Sequence, residues 1–155
     1  MSNNKLWIHK YFSEDELRDI QSELDLVEKN STGEVILSLR NKRTLLEKLY
    51  TPHELAFKDF DKLGVNNTKE KTGILIFIIF EERYYDIIAD EGIYSKIPNS
   101  TWNMLEVRLK GEFRKENYFN GLLHLIKNIE KILAKEFPAK TDDDDDEISK
   151  EIVIN

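Results

Sequence analysis

The residues of this chain with the clearest potential for chemistry are a run of carboxylates close to its carboxyl terminus. Six consecutive acidic side chains carry −6 of the formal net charge of −7, so the rest of the chain sums to only −1. Calcium and magnesium take hard oxygen ligands, and alternate aspartates such as Asp142, Asp144 and Asp146 can present oxygens at the roughly 2.3 to 2.6 Å that calcium favours. The run consists of Asp142, Asp143, Asp144, Asp145, Asp146 and Glu147.

Two interpretations of the acidic run are open. A stretch of like charges is commonly a solvated, disordered segment. Here a predicted helix ends shortly before the run and a predicted strand follows it, so we expect a loop that is held at both ends. Holding two carboxylates about 6 Å apart costs roughly 3 kcal/mol at an effective dielectric constant near 20, which calls for a counter-charge. The run contains no glycine, so it is not an EF-hand loop.

A second candidate lies at Asp90 and Glu91, directly after a predicted strand. Ligands gather outside the carboxyl ends of strands in open sheets, and Gly92 allows the backbone to bend so that a carbonyl can serve as a further ligand. The alternative is a strand-to-helix turn in which Asp and Gly serve the backbone geometry alone. Glu34, which follows a Thr-Gly turn, is a minor candidate, and its alternative is an exposed residue at the start of a strand.

We therefore hypothesise that the acidic run and the loop at Asp90 share one or two divalent cations, calcium rather than magnesium. Because carboxylates ionise well below neutral pH, binding is expected to weaken as the pH falls towards about 4. The candidate ligands are Asp90, Glu91, Glu34, Asp142, Asp143, Asp144, Asp146 and Glu147.

The absence of other residue types and motifs removes several kinds of site. The chain has no cysteine, which excludes disulfides, zinc-thiolate centres and thiol nucleophiles. His9, His53 and His124 lack the spacing of a zinc site, and no Walker, GxGxxG or GxSxG motif occurs. Arg83 can in principle hold a phosphate, but a surface ion pair is the ordinary role of such an arginine. No basic stretch supplies the footprint that a nucleic acid requires.

Length and composition indicate a small globular protein. A chain of 155 residues suits one domain, and 40% hydrophobic residues are too many for a disordered chain. The longest apolar run, residues 74–80, is far shorter than the roughly 20 residues that cross a bilayer. Since residues 1–10 also lack the apolar core of a signal peptide, we expect a cytoplasmic protein without a membrane partner.

Local signals predict the first two helices. Ser13 and Glu16 form a capping box at the start of the first helix, which is expected to end near residue 29. Thr51 followed by Pro52 starts the second helix in the same way. Gly64 is placed to end this helix in the left-handed conformation.

The remaining elements follow from hydrophobic periodicity. Two longer helices are expected late in the chain, one capped near Asn99 or Ser100 and one ending before Pro138, with a short helical turn over 93–97. Strands are expected over 34–39, 73–80, 84–89 and 151–155, with a basic loop over 40–43.

This order of elements predicts an α/β fold, a three-layer αβα sandwich. Helices before, between and after buried strands imply a sheet that is covered on both faces. A tight hairpin between the second and third strands makes the four-stranded sheet mixed. Residues 1–138 would form the αβα domain, and 139–155 would add the acidic loop and a short strand that packs on the same domain.

Several short segments, in this order, resemble the TPM domain family. They span residues 11–138, and their succession is more specific than any one of them. The segments are 32–34 (TGE), 62–64 (KLG) with Thr68, 71–76 (KTGILI), 82–83 (ER), 89–93 (ADEGI) and 119–121 (FNG).

The resemblance implies an αβα sandwich, divalent cations bound at acidic loop positions, and the acid phosphatase activity proposed for a plant member. Most members carry a signal peptide and a membrane anchor, and this chain resembles the stand-alone soluble bacterial branch. Two functions stay open. One is a cation-binding module with a regulatory role and an unidentified protein partner; the other is a metal-dependent phosphatase, for which the sequence shows no general acid and no phosphate-binding cluster.

Overall fold

A four-stranded mixed sheet forms the centre of the protein. The computed structural model describes residues 2–140 and 152–155, with only the backbone described for 2–4. The strand order is β3-β2-β1-β4; β1 pairs in parallel with β2 and β4, and β2 pairs antiparallel with β3. The mixed four-stranded sheet is thus confirmed, with the last strand at an edge. The strands are β1 (Glu34–Arg40), β2 (Gly73–Ile79), β3 (Tyr84–Ala89) and β4 (Ile152–Ile154).

The longer helices begin and end close to the predicted positions, whereas the short helical turn predicted over 93–97 is a helix over Glu91–Tyr94. Both capping boxes form, at Ser13 and Thr51, and Gly64 follows the second helix with φ +78°. A 3-10 helix over Ser2–Lys10 was not predicted. Within the described residues, none of the helices combines the length and the apolar composition that crossing a bilayer requires. The α-helices are α1 (Glu14–Asn30), α2 (Pro52–Lys62), α3 (Glu91–Tyr94), α4 (Asn99–Arg114) and α5 (Tyr118–Glu136).

Helices cover both faces of the sheet and make the three layers. Side chains from α1, α4 and α5 pack with alternate residues of β1, such as Val35 and Leu37, in the larger core. On the opposite face Ile36 packs with Leu55 and Phe60 of α2. All seven residues of β2 are buried, because this strand lies between two neighbours and under helices on both sides.

The parallel pair gives the sheet two distinct ends, which position the polar residues. At the amino end Glu34 pairs with Gly73, where β1 and β2 begin. At the carboxyl end Arg40 pairs with Ile79, where both strands finish. Arg40 was expected in a basic loop, and this expectation is wrong. It is the last residue of β1 and only 6% exposed.

Candidate functional site

Two of the predicted cation ligands lie at the amino end of the sheet. The backbone N–H of Asp90 donates to the carbonyl of Gly73 over 2.9 Å, and Gly73 pairs on its other side with Glu34. Since neighbouring strands lie about 4.8 Å apart, the backbones of Asp90 and Glu34 are about 10 Å apart. Gly73 lies between them, and the position of a Cβ on this residue is taken by Val65, whose carbonyl oxygen would stand 2.1 Å from it.

The carboxylate of Asp90 has one oxygen that the fold uses and one that it does not. Asp90 caps the short helix α3, and its Oδ1 accepts from the Glu91 N–H over 2.8 Å. Its Oδ2 is buried, and no described residue donates a hydrogen bond to it. Thr32 Oγ1, two residues before Glu34, is also buried and without a hydrogen-bond partner in the described part of the chain. Buried oxygens of this kind ordinarily have a partner.

The Glu34 side chain is buried, whereas the Glu91 side chain is exposed to solvent. The alternative of an exposed residue at a strand start is wrong for Glu34, which is 6% exposed and already has an interaction partner. A cation at this carboxylate would therefore compete with a contact of the fold. Glu91 is exposed in the first turn of α3.

The direction of β3 places Asp90 at the opposite end of the sheet from the one predicted. We expected Asp90 to lie outside the carboxyl ends of the strands. It does follow β3, but β3 runs antiparallel to β2, so Asp90 lies beside the amino ends of β1 and β2. The ligand-binding rule for open sheets therefore gives this position no support.

Glu70 links the Asp90 loop to the segment that leads into the acidic run. A Cβ on Gly92 would stand 2.2 Å from the Glu70 carbonyl oxygen, so these backbones are in close contact. The Glu70 carboxylate forms an ion pair with Lys140, and Pro138 pairs with Ser31. The candidates Asp142, Asp143, Asp144, Asp146 and Glu147 lie outside the described residues. Among residues 2–140 and 152–155, no group of three or more His, Cys, Asp or Glu side chains could hold a metal ion.

A polar cluster beside β3 was missed at the sequence level. His53 Nδ1 lies 2.9 Å from Asp86 Oδ2, and the Tyr84 hydroxyl donates to the same oxygen over 2.8 Å. Burial and this hydrogen bond raise the pKa of Tyr84 above its usual range. The alternation of Tyr84 and Asp86 on one face of a predicted strand was the available signal, but the partner from α2 depends on the tertiary fold.

Glu106 of α4 covers the outer edge of β3. Its Oε2 accepts from the Ile87 N–H over 3.0 Å, which occupies a donor that an edge strand leaves unpaired. Burial raises the pKa of Glu106, the Ile87 N–H opposes that shift, and the negative charge of Asp86 adds to it.

The raised pKa of Glu106 predicts a pH-dependent effect of Glu106→Gln. The native protein binds this proton more tightly than the unfolded chain does. The corresponding stability is complete below the unfolded-state pKa and is lost as the pH rises through the native pKa. Glutamine cannot ionise and can still accept from Ile87. As the pH rises from 4 to 7, the free energy of unfolding of the variant should therefore increase relative to that of the wild type. The expected gain is about 1 kcal/mol or less, because the side chain is half-buried. Urea unfolding of both proteins at the two pH values measures this, and identical pH profiles would contradict it.

A buried ion pair closes the carboxyl end of the sheet. The Asp59 carboxylate accepts from Arg40 Nη2 over 2.9 Å and from the Ser38 hydroxyl over 2.9 Å. Arg40 also lies 3.3 Å from Glu47, and its guanidinium carbon is 5.6 Å from the centroid of the Phe77 ring. These contacts join α2 to β1 and β2.

Fold and sequence together define the class of this protein. A model of the TPM domain matches residues 9–132, which is most of the chain. The chain belongs to the TPM domain family. No curated protein matches it.

Solved structures of bacterial proteins share the fold. The chain is similar to the BA42 protein from the psychrophilic bacterium Bizionia argentinensis, with 27% identity, a TM-score of 0.81, and coverage of 94% of this chain and 96% of that one. The N-terminal domain of a protein from P. gingivalis has 17% identity and a TM-score of 0.67, covering 82% and 79%. The N-terminal domain of the cg2496 protein from Corynebacterium glutamicum has 11% identity and a TM-score of 0.60, covering 84% and 78%. The last two similarities concern the fold alone.

Proposed function

We propose that this TPM domain is a divalent-cation-binding module with a regulatory or interaction role. The cation would lie at the amino end of the sheet, between the Asp90 loop and the acidic run of 142–147. An unidentified protein partner and a cytoplasmic location are part of this proposal. The observation that carries it is the buried Asp90 Oδ2, which has no hydrogen-bond donor among the described residues.

The route of the chain supports a contribution from the acidic run. Glu70 contacts Gly92 through its backbone and Lys140 through its side chain, so residue 140 and the Asp90 loop approach the same residue. The acidic run begins two residues after Lys140. After the acidic run, β4 begins at Ile152, which pairs with Leu37 of β1. Carboxylates of the run can therefore reach Asp90 without a long excursion of the chain.

The chemistry of the donors favours calcium over magnesium. The described residues contribute too few ligands for a complete site. In this proposal further oxygens come from 142–147. Calcium accepts about six to eight oxygen ligands in flexible geometry, whereas magnesium demands a near-ideal octahedron. Oxygen ligands that come from two separate segments of the chain satisfy the flexible geometry of calcium more easily than the octahedron of magnesium. Thr32, whose buried Oγ1 has no hydrogen-bond partner among the described residues, and Glu34 would supplement the set through water.

Asp90→Asn should weaken calcium binding by about tenfold or more, because one anionic ligand becomes neutral while the side chain keeps its shape. Bound calcium should also stabilise the wild-type protein by mass action, by about 2.7 kcal/mol at a hundred times the Kd. Isothermal titration with calcium and with magnesium measures the affinity, and thermal unfolding measures the stabilisation.

Two controls make this titration specific. Asp19→Asn removes an equal charge from an exposed site on α1 and should leave the affinity unchanged. Asparagine at positions 142, 143, 144 and 146 should weaken binding at least as much as Asp90→Asn. Equal affinities for wild type and Asp90→Asn would refute the proposed site. Turnover of a generic phosphate ester that is lost in Asp90→Ala would favour the phosphatase instead.

A further inference from the structure

A cleft with an aromatic floor opens at the carboxyl end of the sheet, opposite the proposed cation site. Its volume is about 560 Å³, within the range of about 300 to 1,000 Å³ that is typical of small-molecule sites. Phe80 and Phe113 are buried, 5% and 4% exposed, and stack with centroids 5.7 Å apart. Tyr11 stacks on Phe80 at 4.1 Å, and Tyr118 meets Phe113 edge-on at 5.1 Å.

The rim of this cleft carries an excess of positive charge. Four cationic side chains and two carboxylates line it, which leaves a formal charge of +2. Between residues 5 and 140 no carboxylate forms an ion pair with any of the four cations, although Lys10 Nζ lies 5.7 Å from the centroid of the Tyr11 ring. Helix α5 also begins here, and its first-turn N–H groups add partial positive charge. The cations are Lys10, Arg83, Lys110 and Arg114, and the carboxylates are Glu81 and Glu116.

Backbone strain marks two residues of the same rim. Arg83 has φ +51° and Glu116 has φ +62°, a conformation that costs a residue with a Cβ about 1 to 2 kcal/mol. Glycine would adopt both turns without strain. The sequence instead places long charged side chains there, and both line the cleft.

The tyrosines give the cleft neutral hydrogen-bond donors. Burial raises the pKa of Tyr11, with Tyr118 and Glu81 adding to the shift. Burial also raises the pKa of Tyr85, which lines the same cleft. Both hydroxyls therefore stay protonated at neutral pH and can donate to an acceptor-rich ligand.

From the aromatic floor, the +2 rim and the hydroxyl donors, we infer that this cleft binds a small phosphate monoester that carries an aromatic ring. The ring would lie against the aromatic floor, where stacking is favourable. The phosphate would lie at the rim, where Arg83 and Arg114 offer charge-assisted hydrogen bonds. A mononucleotide and a phenyl phosphate share this chemistry. This site is independent of the cation site at the other end of the sheet.

Titration with four probes tests the inference: adenosine monophosphate, phenyl phosphate, adenosine and inorganic phosphate. At least one aromatic phosphate should bind about tenfold or more tightly than adenosine or inorganic phosphate, because ring and charge both contribute. Tighter binding of adenosine monophosphate than of phenyl phosphate would identify a nucleotide site. Tighter binding of phenyl phosphate would identify a site for simpler aromatic rings. Equal affinity for inorganic phosphate and both aromatic phosphates would overturn the inference.

Arg83→Gly separates a binding role from a structural one. It removes one cation and relieves the positive φ, so the unfolding temperature should stay the same or rise while the affinity for the aromatic phosphate falls about tenfold. Arg114→Gln should weaken binding similarly. Lys131→Gln, an exposed change late in α5, and Asp90→Asn should leave it unchanged. Full affinity in both arginine variants would overturn the assignment.

Discussion

Asp59→Ala should lower the free energy of unfolding by about 3 to 5 kcal/mol, because it leaves a buried charge without its partner. Asp59 is 3% exposed and Arg40 6% exposed, and the two side chains are joined over 2.9 Å. Alanine would leave the guanidinium with the longer ion pair to Glu47 and the Phe77 ring alone, and Ser38 would lose its acceptor. Urea unfolding at neutral pH measures the loss.

The double variant Arg40→Met/Asp59→Leu tests the reason for this loss. Replacing both charges by apolar side chains removes the unpaired guanidinium, so it should cost less than Asp59→Ala alone. Asp61→Ala, an exposed change on the same helix, should stay within about 0.5 kcal/mol of wild type. If Asp59→Ala cost no more than Asp61→Ala, the ion pair would not stabilise the fold.

Gly73→Ala should destabilise the protein by about 3 kcal/mol, at the upper end of the range for overpacked sites. A Cβ at this position would stand 2.1 Å from the Val65 carbonyl oxygen and 2.9 Å from its side chain. Because the first of these atoms belongs to the backbone, the short 3-10 helix Val65–Asn67, the 65–67 turn, would have to move away from β2. Such a shift should also weaken calcium binding, since Gly73 separates Glu34 from Asp90. Unfolding and calcium titration of the same variant measure both effects.

Gly111→Ala is the matched control for this prediction. A Cβ on Gly111 would meet nothing within 4 Å, and alanine favours the interior of helix α4. This variant should gain about 0.5 to 1 kcal/mol. A similar, small effect of both substitutions would contradict the close approach of β2 to the 65–67 turn.

The fold could be predicted because its signals are local. Ser13 and Thr51 each carry a capping box that is complete within four residues. The apolar run of β2 is buried along its whole length, as its composition indicated. The short apolar segment at the end of the chain proved to be an edge strand because β1 offered it an unpaired side.

The position of Asp90 could have been derived with one more step. The predicted hairpin already implied that the strand before Asp90 runs antiparallel to β2. Its carboxyl end must then lie at the amino end of β2, which the structure places beside Glu34. The rule for ligands outside the carboxyl ends of parallel strands does not apply to β3, so it predicted the wrong end of the sheet for Asp90.

The remaining polar features depend on long-range contacts that single-sequence patterns do not encode. The aromatic cleft assembles side chains from the first 3-10 helix to the start of α5, including Tyr11, Phe80 and Tyr118. Arg40 gave one usable signal: a charged residue directly after an apolar stretch of a buried strand calls for a buried counter-charge. The identity of that partner, Asp59, follows only from the packing of α2 on the sheet.

A residue-resolved calcium titration by NMR tests the central claim most directly. We predict that calcium shifts the amide signals of 90–92 together with those of 142–147, and that Asp90→Asn weakens both sets of shifts in parallel. Signals from the aromatic cleft should not move. Shifts confined to 142–147 and unaffected by Asp90→Asn, or no shifts in millimolar calcium, would contradict a shared cation.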